Sequence, residues 1–157
     1  MTTMLTIPEA QLFQQVFGRS VLADEIFPNL DVGSDLHFVV GPNGLRQLAE
    51  VTGIDNLAQA LRLALTTAYG ANPFNTNYGF DGLNALATEP DPQMQQQRIR
   101  ISVAQTVARD PRVRRVTDVQ ATRSVVGGAA VLSVVVSFDT TASRNVSLTL
   151  SGIPING

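Results

Sequence analysis

The sequence predicts an α+β protein in which two main helices precede a three-stranded antiparallel β-meander. Two stretches of helical periodicity lie in the middle of the 157-residue chain, and three stretches with strand-like alternation occupy its last third. Hydrophobic residues make up 44% of the chain and charged residues 15%, which is typical of a globular protein with a sizeable core. The length predicts one domain with an additional arm.

The N-terminal third predicts short elements separated by turns. Residues 8–18 favour a short helix, because apolar side chains lie on one side of it and Gly18 follows them. Residues 27–35 are rich in turn-forming types. Residues 36–40 then predict a strand that ends at the turn of residues 41–44.

A leucine at every fourth position predicts the first main helix, because this spacing places the side chains on one face. These residues are Leu57, Leu61 and Leu65. Asp55 or Asn56 is expected to cap the N-terminus of the helix, and Gly70 is expected at its C-terminus. Leu45 and Leu48 suggest a further helical turn before it.

The loop of residues 71–82 is rich in asparagine and glycine, yet it carries aromatic residues that we expect to pin it to the core. These are Phe74, Tyr78 and Phe80. The second main helix is predicted to begin near Asp91 and Pro92, because proline favours the first turn. It must stop at Asp110, since Pro111 disfavours helical geometry in the residue before it. Its apolar stripe comprises Ile99, Val103 and Val107.

The last third predicts three strands. Residues 113–124 favour a bulged strand, and Gly127-Gly128 predicts a hairpin turn after it. The next strand is apolar on both faces, which is typical of a central strand. One face carries Leu132, Val134, Val136 and Phe138, and the other carries Val131 and Val135. The last strand is predicted to lie at an edge of the sheet, with one of its faces buried. Its apolar residues are Val146, Leu148 and Leu150.

Charge is distributed unevenly along the chain, which contains no lysine. Residues 1–97 carry three arginines and ten acidic residues, whereas residues 98–157 carry eight arginines and three acidic residues. A basic half can indicate nucleic-acid binding, but its single aromatic residue is Phe138 and no arginine run exceeds two. We therefore expect no nucleic-acid partner. No apolar run approaches the ~20 residues of a membrane span, so we expect no membrane contact.

Few residues of the chain are suited to catalysis. With one histidine and no cysteine, neither a His-rich metal site nor a Cys–His pair can form within one chain. The histidine, His37, lies in a strand pattern that favours a structural role. Two carboxylate pairs of the kind a glycosidase uses are Asp31 with Asp35 and Glu89 with Asp91, but both are more typical of turns and helix caps. We predict no catalytic residue, cofactor or metal site.

A resemblance to a known family lies in residues 55–83 and in the segment after them. The residues are DNLAQALRLALTTAYGANPFNTNYGFDGL, followed by a helix and then ARDPRV. They resemble the small baseplate wedge subunit of contractile phage tails, also called the sheath initiator, which has relatives in type VI secretion baseplates and other contractile injection systems. The resemblance includes Tyr78-Gly79 and the acidic-Pro-Arg signature at Asp110-Pro111-Arg112, where the family usually has glutamate first.

The resemblance covers roughly residues 36–150. We therefore expect a domain of the baseplate wedge and sheath-initiator type over residues 36–157 and an N-terminal extension over residues 1–35. In this family the meander offers strand edges to the first sheath ring, and the helical side and acidic-Pro-Arg turn lie against larger wedge subunits.

The resemblance implies a non-enzymatic, structural role in assembly. The implied partners are the tail sheath subunit and larger wedge subunits, with central hub or tube proteins as further candidates. The implied location is the virion tail baseplate, assembled in the bacterial host cytoplasm. Some relatives are labelled tail lysozymes, so a peptidoglycan-cleaving enzyme is the alternative function.

Two candidate interfaces follow from these patterns. The candidate wedge interface comprises Asp110, Pro111, Arg112, Arg114 and Arg115. The planar fork of its Arg112 can take a carboxylate or carbonyls of an adjoining subunit, or else pair internally with an acidic residue. The candidate sheath-facing strand comprises Val146, Leu148 and Leu150. Its edge is covered either by a strand of a neighbouring chain or by the N-terminal segment.

Overall fold

A computed structural model describes residues 9–25, 34–82, 88, 90–126, 129–142 and 146–154. The helices are α1 (Glu9–Phe17), α2 (Gly53–Thr66) and α3 (Pro92–Ala108). The strands are β1 (Arg19–Val21), β2 (Ala23–Glu25), β3 (Ser34–Leu36), β4 (Phe38–Val40), β5 (Arg46–Leu48), β6 (Glu50–Thr52), β7 (Val113–Val126), β8 (Ala129–Thr140) and β9 (Val146–Pro154). The α+β class is confirmed. The predicted order of helices before strands is not, because six short strands separate α1 from α2.

The six short strands form three two-stranded antiparallel ribbons that meet at one point. β1 pairs with β6, β2 with β3 and β4 with β5. At the junction, Leu22 N–H donates to the carbonyl of Ala49, Ala49 N–H to that of His37, and His37 N–H to that of Leu22, at 2.8 to 3.0 Å. The Gln59 side chain of α2 bonds to the backbone of both neighbours of Leu22. The junction is thereby attached to the helix.

The predicted helical turn around Leu45 and Leu48 is wrong. Leu48 ends β5, and Leu45 lies in the turn that joins β4 to β5, where its carbonyl accepts from Gly41 N–H. Leucines three residues apart also fit a short strand and its turn. The antiparallel pairing with β4 decides between the two structures.

The predicted caps of α2 are also wrong. The N-cap is Thr52 rather than Asp55 or Asn56, because β6 pairs with β1 up to this residue and the chain enters the helix directly from the strand. The C-cap is Thr67. Gly70 lies in the following loop, where it adopts a φ of 75°.

The apolar stripes of the main helices are buried as predicted. These residues are Leu57, Leu61 and Leu65 of α2 and Ile99, Val103 and Val107 of α3. The N-cap of α3 is Asp91, whose carboxylate accepts from Gln93 N–H at 2.9 Å, and Pro92 follows it as predicted. The predicted short N-terminal helix is α1, and Gly18 follows it with a φ of 69°. Its Phe17 is buried and Val16 packs against the core. The side chains of Leu12 and Phe13 lie outside the described residues.

The strands β7, β8 and β9 form an antiparallel sheet with β8 in the middle. Its inner face packs on the helices through Val119, Ala121, Val134, Val136, Phe138 and Leu148. Extra residues bulge β7 at Arg114 and Thr117. β7 and β8 pair as far as Val126 and Ala129, which forms the predicted hairpin. The turn residues Gly127-Gly128 lie outside the described residues, as do the side chains of Val131, Leu132 and Leu150.

Candidate interaction site at the end of α3 and the edge of β9

The turn between α3 and β7 holds Asp110 and Arg112 in a fixed arrangement. Asp110 Oδ1 accepts from Nε and from the backbone N–H of Arg112, both at 2.9 Å, and Oδ2 accepts from Nη2 at 2.7 Å. The two bonds between the side chains form a bidentate pair, which is strong and directional. The side chains retain 23% exposure for Arg112 and 15% for Asp110. Water therefore screens the pair only in part.

Arg112 also closes the C-terminal end of α1. Its Nη1 donates to the backbone carbonyl of Phe17 at 3.1 Å, and Asn56 Nδ2 donates to the same oxygen at 2.7 Å. Phe17 is the last residue of α1, where carbonyls lack partners within the helix and the helix dipole favours a cation. The carbonyl of Arg112 accepts from Thr141 N–H at 3.1 Å. Arg112 thus joins α1, the α3–β7 turn and the end of β8.

The predicted wedge-interface residues separate into an internal and an external group. Arg112 has partners within its own chain, as in the internal-pair alternative, and it bonds to the Phe17 carbonyl as well. Arg115 pairs with Asp139 at 3.1 Å but its side chain is 71% exposed. Arg114 is exposed, and it forms no ion pair with any described residue. Pro111 is exposed beside them. The outward residues Pro111, Arg114 and Arg115 are therefore accessible to a partner.

The pKa values in this turn follow from its contacts. Partial burial by itself would raise the pKa of the Asp110 carboxyl, but the hydrogen bonds and positive charge of Arg112 outweigh it and lower that pKa. The hydrogen bond to Asp110 raises the pKa of Arg112. Burial, and secondly the charge of Asp110, raises the pKa of Tyr78. At neutral pH the turn therefore holds a carboxylate and a guanidinium, and the neighbouring loop holds a neutral phenol.

We expect the chain to lose stability in acid through Asp110. Because its folded-state pKa lies below the unfolded value of ~3.9, its stabilisation is present above about pH 4 and is lost as the pH falls through the folded-state pKa. Urea unfolding between about pH 7 and about pH 2 should show the wild type losing more stability than Asp110→Asn, which takes up no proton. Equal losses in the two proteins would contradict this assignment.

A cleft of about 450 Å³ opens beside the turn. Its walls are α2, the loop before Gly79, and the end of α3 with the turn; the lining includes Ala60, Leu61, Ala64, Asn75, Asn77, Tyr78, Arg109 and Pro111. Arg109 lies over the ring of Tyr69, 5.0 Å from its centroid, and its Nη1 contacts the carbonyl of Gly79 at 3.5 Å. The size is that of a small ligand or a few side chains of a peptide.

The loop of residues 71–82 exposes one of its aromatic residues. Phe80 is buried and Tyr78 is half-buried, but Phe74 is 99% exposed. The expectation that all three pin the loop to the core is therefore wrong for Phe74. The reason is local, because Asn72 Oδ1 accepts from Phe74 N–H at 2.9 Å and forms a tight turn with Phe74 at its tip.

Side chains of α3 cover the outer edge of β7. Arg100 Nε donates to the carbonyl of Val119 at 2.7 Å, and Gln96 Nε2 donates to that of Ala121 at 2.5 Å. An edge strand whose carbonyls already have donors is a poor template for another strand. This edge of the sheet is therefore protected over these residues.

No described residue covers the outer edge of β9. Across the part of the chain that the structure describes, the backbone of β9 bonds only to β8. Regular pairing runs from Val146 to Leu150, after which an extra residue interrupts the ladder and Pro154 brings no N–H. The described N-terminal strands β1 and β2 pair with β6 and β3 and leave this edge uncovered.

The outward backbone groups of β9 belong to Ser147 and Thr149. A residue in an antiparallel ladder directs its N–H and C=O to the same side, and successive residues alternate. The carbonyl of Val119 points away from β8, because Arg100 of α3 donates to it. Val136 of β8 lies opposite Val119, so its N–H and C=O point away from β7 and towards β9. There Val136 pairs with Leu148, whose N–H and C=O therefore point towards β8. By alternation, Ser147 and Thr149 direct their groups to the open side. Their side chains are exposed as well.

Two of the three predicted sheath-facing residues pack in the core of this chain. Leu148 is buried in the core of this chain and Val146 packs against it, whereas the side chain of Leu150 is not among those described. Sequence reasoning identified the dry face of the strand but missed Ser147 and Thr149. Strand alternation finds them only once the strand order and the covered edge are known.

The remaining candidates from the sequence have local roles or lie outside the described residues. Asp35 Oδ1 accepts from Leu36 N–H at 2.7 Å, and Asp91 caps α3; Asp31 and Glu89 are not described. No group of three His, Asp or Glu side chains within the described ranges could hold a metal ion. None of the helices in those ranges has the length and apolarity to cross a bilayer.

Within the described residues, these observations define an α+β protein whose sheet has one protected and one open edge, with a cleft beside its arginine turn and an exposed phenylalanine on the neighbouring loop. Comparison with protein-family models found no matching family, and comparison with curated proteins found no match.

Proposed function

We propose that this chain is a structural subunit of the baseplate of a contractile tail or a related injection system, of the small wedge and sheath-initiator type. It joins larger wedge subunits and nucleates the sheath by pairing β9 with a strand of the first sheath subunit. The proposal starts from the resemblance of residues 55–83 and 110–112 to that family. The observation that supports it is the edge of β9, which no described residue covers, at the opposite side of the sheet from the protected edge of β7.

An open edge is unusual in a protein that has no partner for it. Natural sheets protect their edges with charged side chains, prolines, bulges or covering elements, because unpaired N–H and C=O groups invite another strand. From Val146 to Leu150, β9 carries no charge and no proline. Main-chain hydrogen bonds from an added strand would satisfy the outward groups and supply affinity. The edge is therefore suited to a specific strand partner.

The other partners are assigned to a different surface, around the turn between α3 and β7. Larger wedge subunits contact the α3–β7 turn, where Pro111, Arg114 and Arg115 are exposed. Central hub or tube proteins are further candidates. The proposed location is the virion tail baseplate, assembled in the bacterial host cytoplasm. The proposed role requires no catalysis and no cofactor.

Prolines at the open edge should abolish sheath capture without unfolding the protein. The double variant Ser147→Pro/Thr149→Pro removes two outward N–H groups that make no bond within the described chain. Proline is tolerated on the solvent side of an edge strand, so we expect the unfolding free energy to change by at most about 1 kcal/mol. Capture of the sheath subunit of the same system in a pull-down should fall at least roughly tenfold.

The matched control is Ser147→Ala/Thr149→Ala, which removes the same hydroxyl groups and keeps both N–H groups. It should capture the sheath subunit as the wild type does. Undiminished capture by a folded proline variant would show that the sheath contact lies elsewhere. Clearing of a cell-wall suspension, lost in Asp35→Asn or Asp91→Asn, would instead support the alternative of a tail lysozyme.

A further inference from the structure

The loop after α2 presents a large apolar side chain to solvent. The ring of Phe74 is 99% exposed, although burial of a phenylalanine side chain is strongly favourable. It lies between Asn72 and Asn75, so local polar residues hold it away from the core. A fully exposed ring at the tip of a loop leaves its whole apolar surface for contact with another molecule.

Hydrogen bonds within the loop order the backbone that carries this ring. Asn72 accepts from the N–H groups of Phe74 and Asn75, at 2.9 and 3.1 Å. Tyr78 N–H donates to the carbonyl of Asn75 at 3.1 Å, and Gly70 N–H donates to the carbonyl of Tyr78 at 3.0 Å, which closes the base of the loop. A side chain on a preorganised loop loses little conformational entropy on binding.

The cleft beside the loop carries a net positive charge. Asp110 and Arg112 neutralise each other, and the remaining charged residue of the lining is Arg109. Arg109 contacts a ring and a carbonyl but forms no ion pair with a described residue. A carboxylate is the group that complements a guanidinium in such a position. Asn75 lines the cleft, and Phe74 precedes Asn75 in the chain, so the exposed ring is carried by the residue next to the cleft lining.

We infer that Phe74 and the cleft form a two-point docking site for the larger wedge subunit. The ring of Phe74 enters an apolar pocket of that subunit, and a carboxylate of the subunit enters the cleft and pairs with Arg109. The cleft alone would suit a small anion, but no small molecule in it would cover a ring that projects outward. A concave apolar surface on a protein covers the ring. This inference rests on the proposed function, and it adds Phe74 and Arg109 to the residues through which the wedge subunit is bound.

The test measures binding of the purified larger wedge subunit of the same system to the immobilised full-length chain. Phe74→Ala and Arg109→Gln should each weaken this binding roughly tenfold or more, as expected for residues at the centre of an interface. The effect of Arg109→Gln should shrink at high salt, because salt screens a charge pair that water reaches. The matched control is Met94→Ala, which truncates another exposed apolar side chain, on α3, and should bind as the wild type does.

Sheath capture and the thermal midpoint are measured on the same variants. Phe74 makes no side-chain contact that folding needs, so both readouts should be unchanged in Phe74→Ala. Wedge binding that is intact in Phe74→Ala and in Arg109→Gln would overturn the inference and leave the proposed function standing. A wild-type chain that binds neither wedge nor sheath subunit would overturn both. Self-association in ultracentrifugation that Phe74→Ala abolishes would replace the wedge subunit with a second copy of this chain.

Discussion

Replacing Arg112 with methionine is expected to destabilise the folded chain by about 2–4 kcal/mol. Methionine keeps most of the length of the side chain but removes the donors to Asp110 and to the carbonyl of Phe17. The Asp110 carboxylate would then remain largely excluded from water without its cation. The measurement is the free energy of unfolding in urea at neutral pH.

Arg115→Met is the matched control for this substitution. Arg115 also pairs with an aspartate, at 3.1 Å, but its side chain is 71% exposed, so its loss should cost at most about 1 kcal/mol. The double variant Arg112→Met/Asp110→Asn should be less unstable than the sum of the two single variants, because both remove one interaction. Equal costs at Arg112 and Arg115 would show that the turn is not a structural centre.

Replacing Gly79 with alanine is expected to destabilise the fold by about 3–5 kcal/mol, because strain at positive φ and overcrowding add. Gly79 has a φ of 111°. A Cβ there would lie 2.6 Å from the carbonyl oxygen of Ala68 and 2.8 Å from that of Thr67. These are backbone atoms just after α2, so they cannot move aside as a side chain can. The next residue, Phe80, is buried in the core and donates its N–H to Thr67.

Gly44→Ala separates the strain of a positive φ from the overcrowding of a Cβ. Gly44 also has a positive φ, of 75°, but nothing lies within 4 Å of the place a Cβ would occupy. Its substitution should therefore cost only the strain of a left-handed residue, about 1–2 kcal/mol. Thermal or urea unfolding of the two variants side by side measures the difference. If both glycines tolerate alanine equally well, the close approach at Gly79 does not contribute to stability.

Gly79 and Arg112 determine how the loop after α2 and the α3–β7 turn are arranged. Gly79 lets the loop close against the end of α2, which places Tyr78 beside the turn and Phe80 in the core. Arg112 joins that turn to α1. The rigidity of the turn supports the exposed residues around it, because a partner meets a surface that is already ordered.

The periodic elements of the chain could be predicted from the sequence. The leucine stripe of α2 and the Asp91-Pro92 start of α3 follow from local rules, since side-chain spacing and capping act within a few residues. The bulged strand β7 and the central position of β8 were also predictable. Where β-branched and apolar residues alternate on both faces, burial between neighbours is the favourable arrangement.

The prediction was wrong where contacts distant in sequence compete with local preference. The segment around Leu48 forms a strand because it pairs with β4. The start of α2 moves to Thr52 because β6 pairs with β1 up to that residue. Phe74 is exposed although its type favours burial, because a turn at Asn72 directs it outward. The contacts that decide the structure at Leu48 and Thr52 are distant in sequence, whereas at Phe74 a local turn overrides the preference of an aromatic side chain for burial.

The sequence by itself determined the α+β class, the buried faces of the two main helices and the charged turn at Asp110 and Arg112. Only the tertiary structure decided what that turn binds and which sheet edge is open. Arg112 donates to the last residue of α1, which lies 95 residues away in sequence. Side chains of α3 bond to the edge of β7 rather than to that of β9. The physical reason is that side-chain spacing is a local property, whereas the partner of a hydrogen bond depends on how the elements pack.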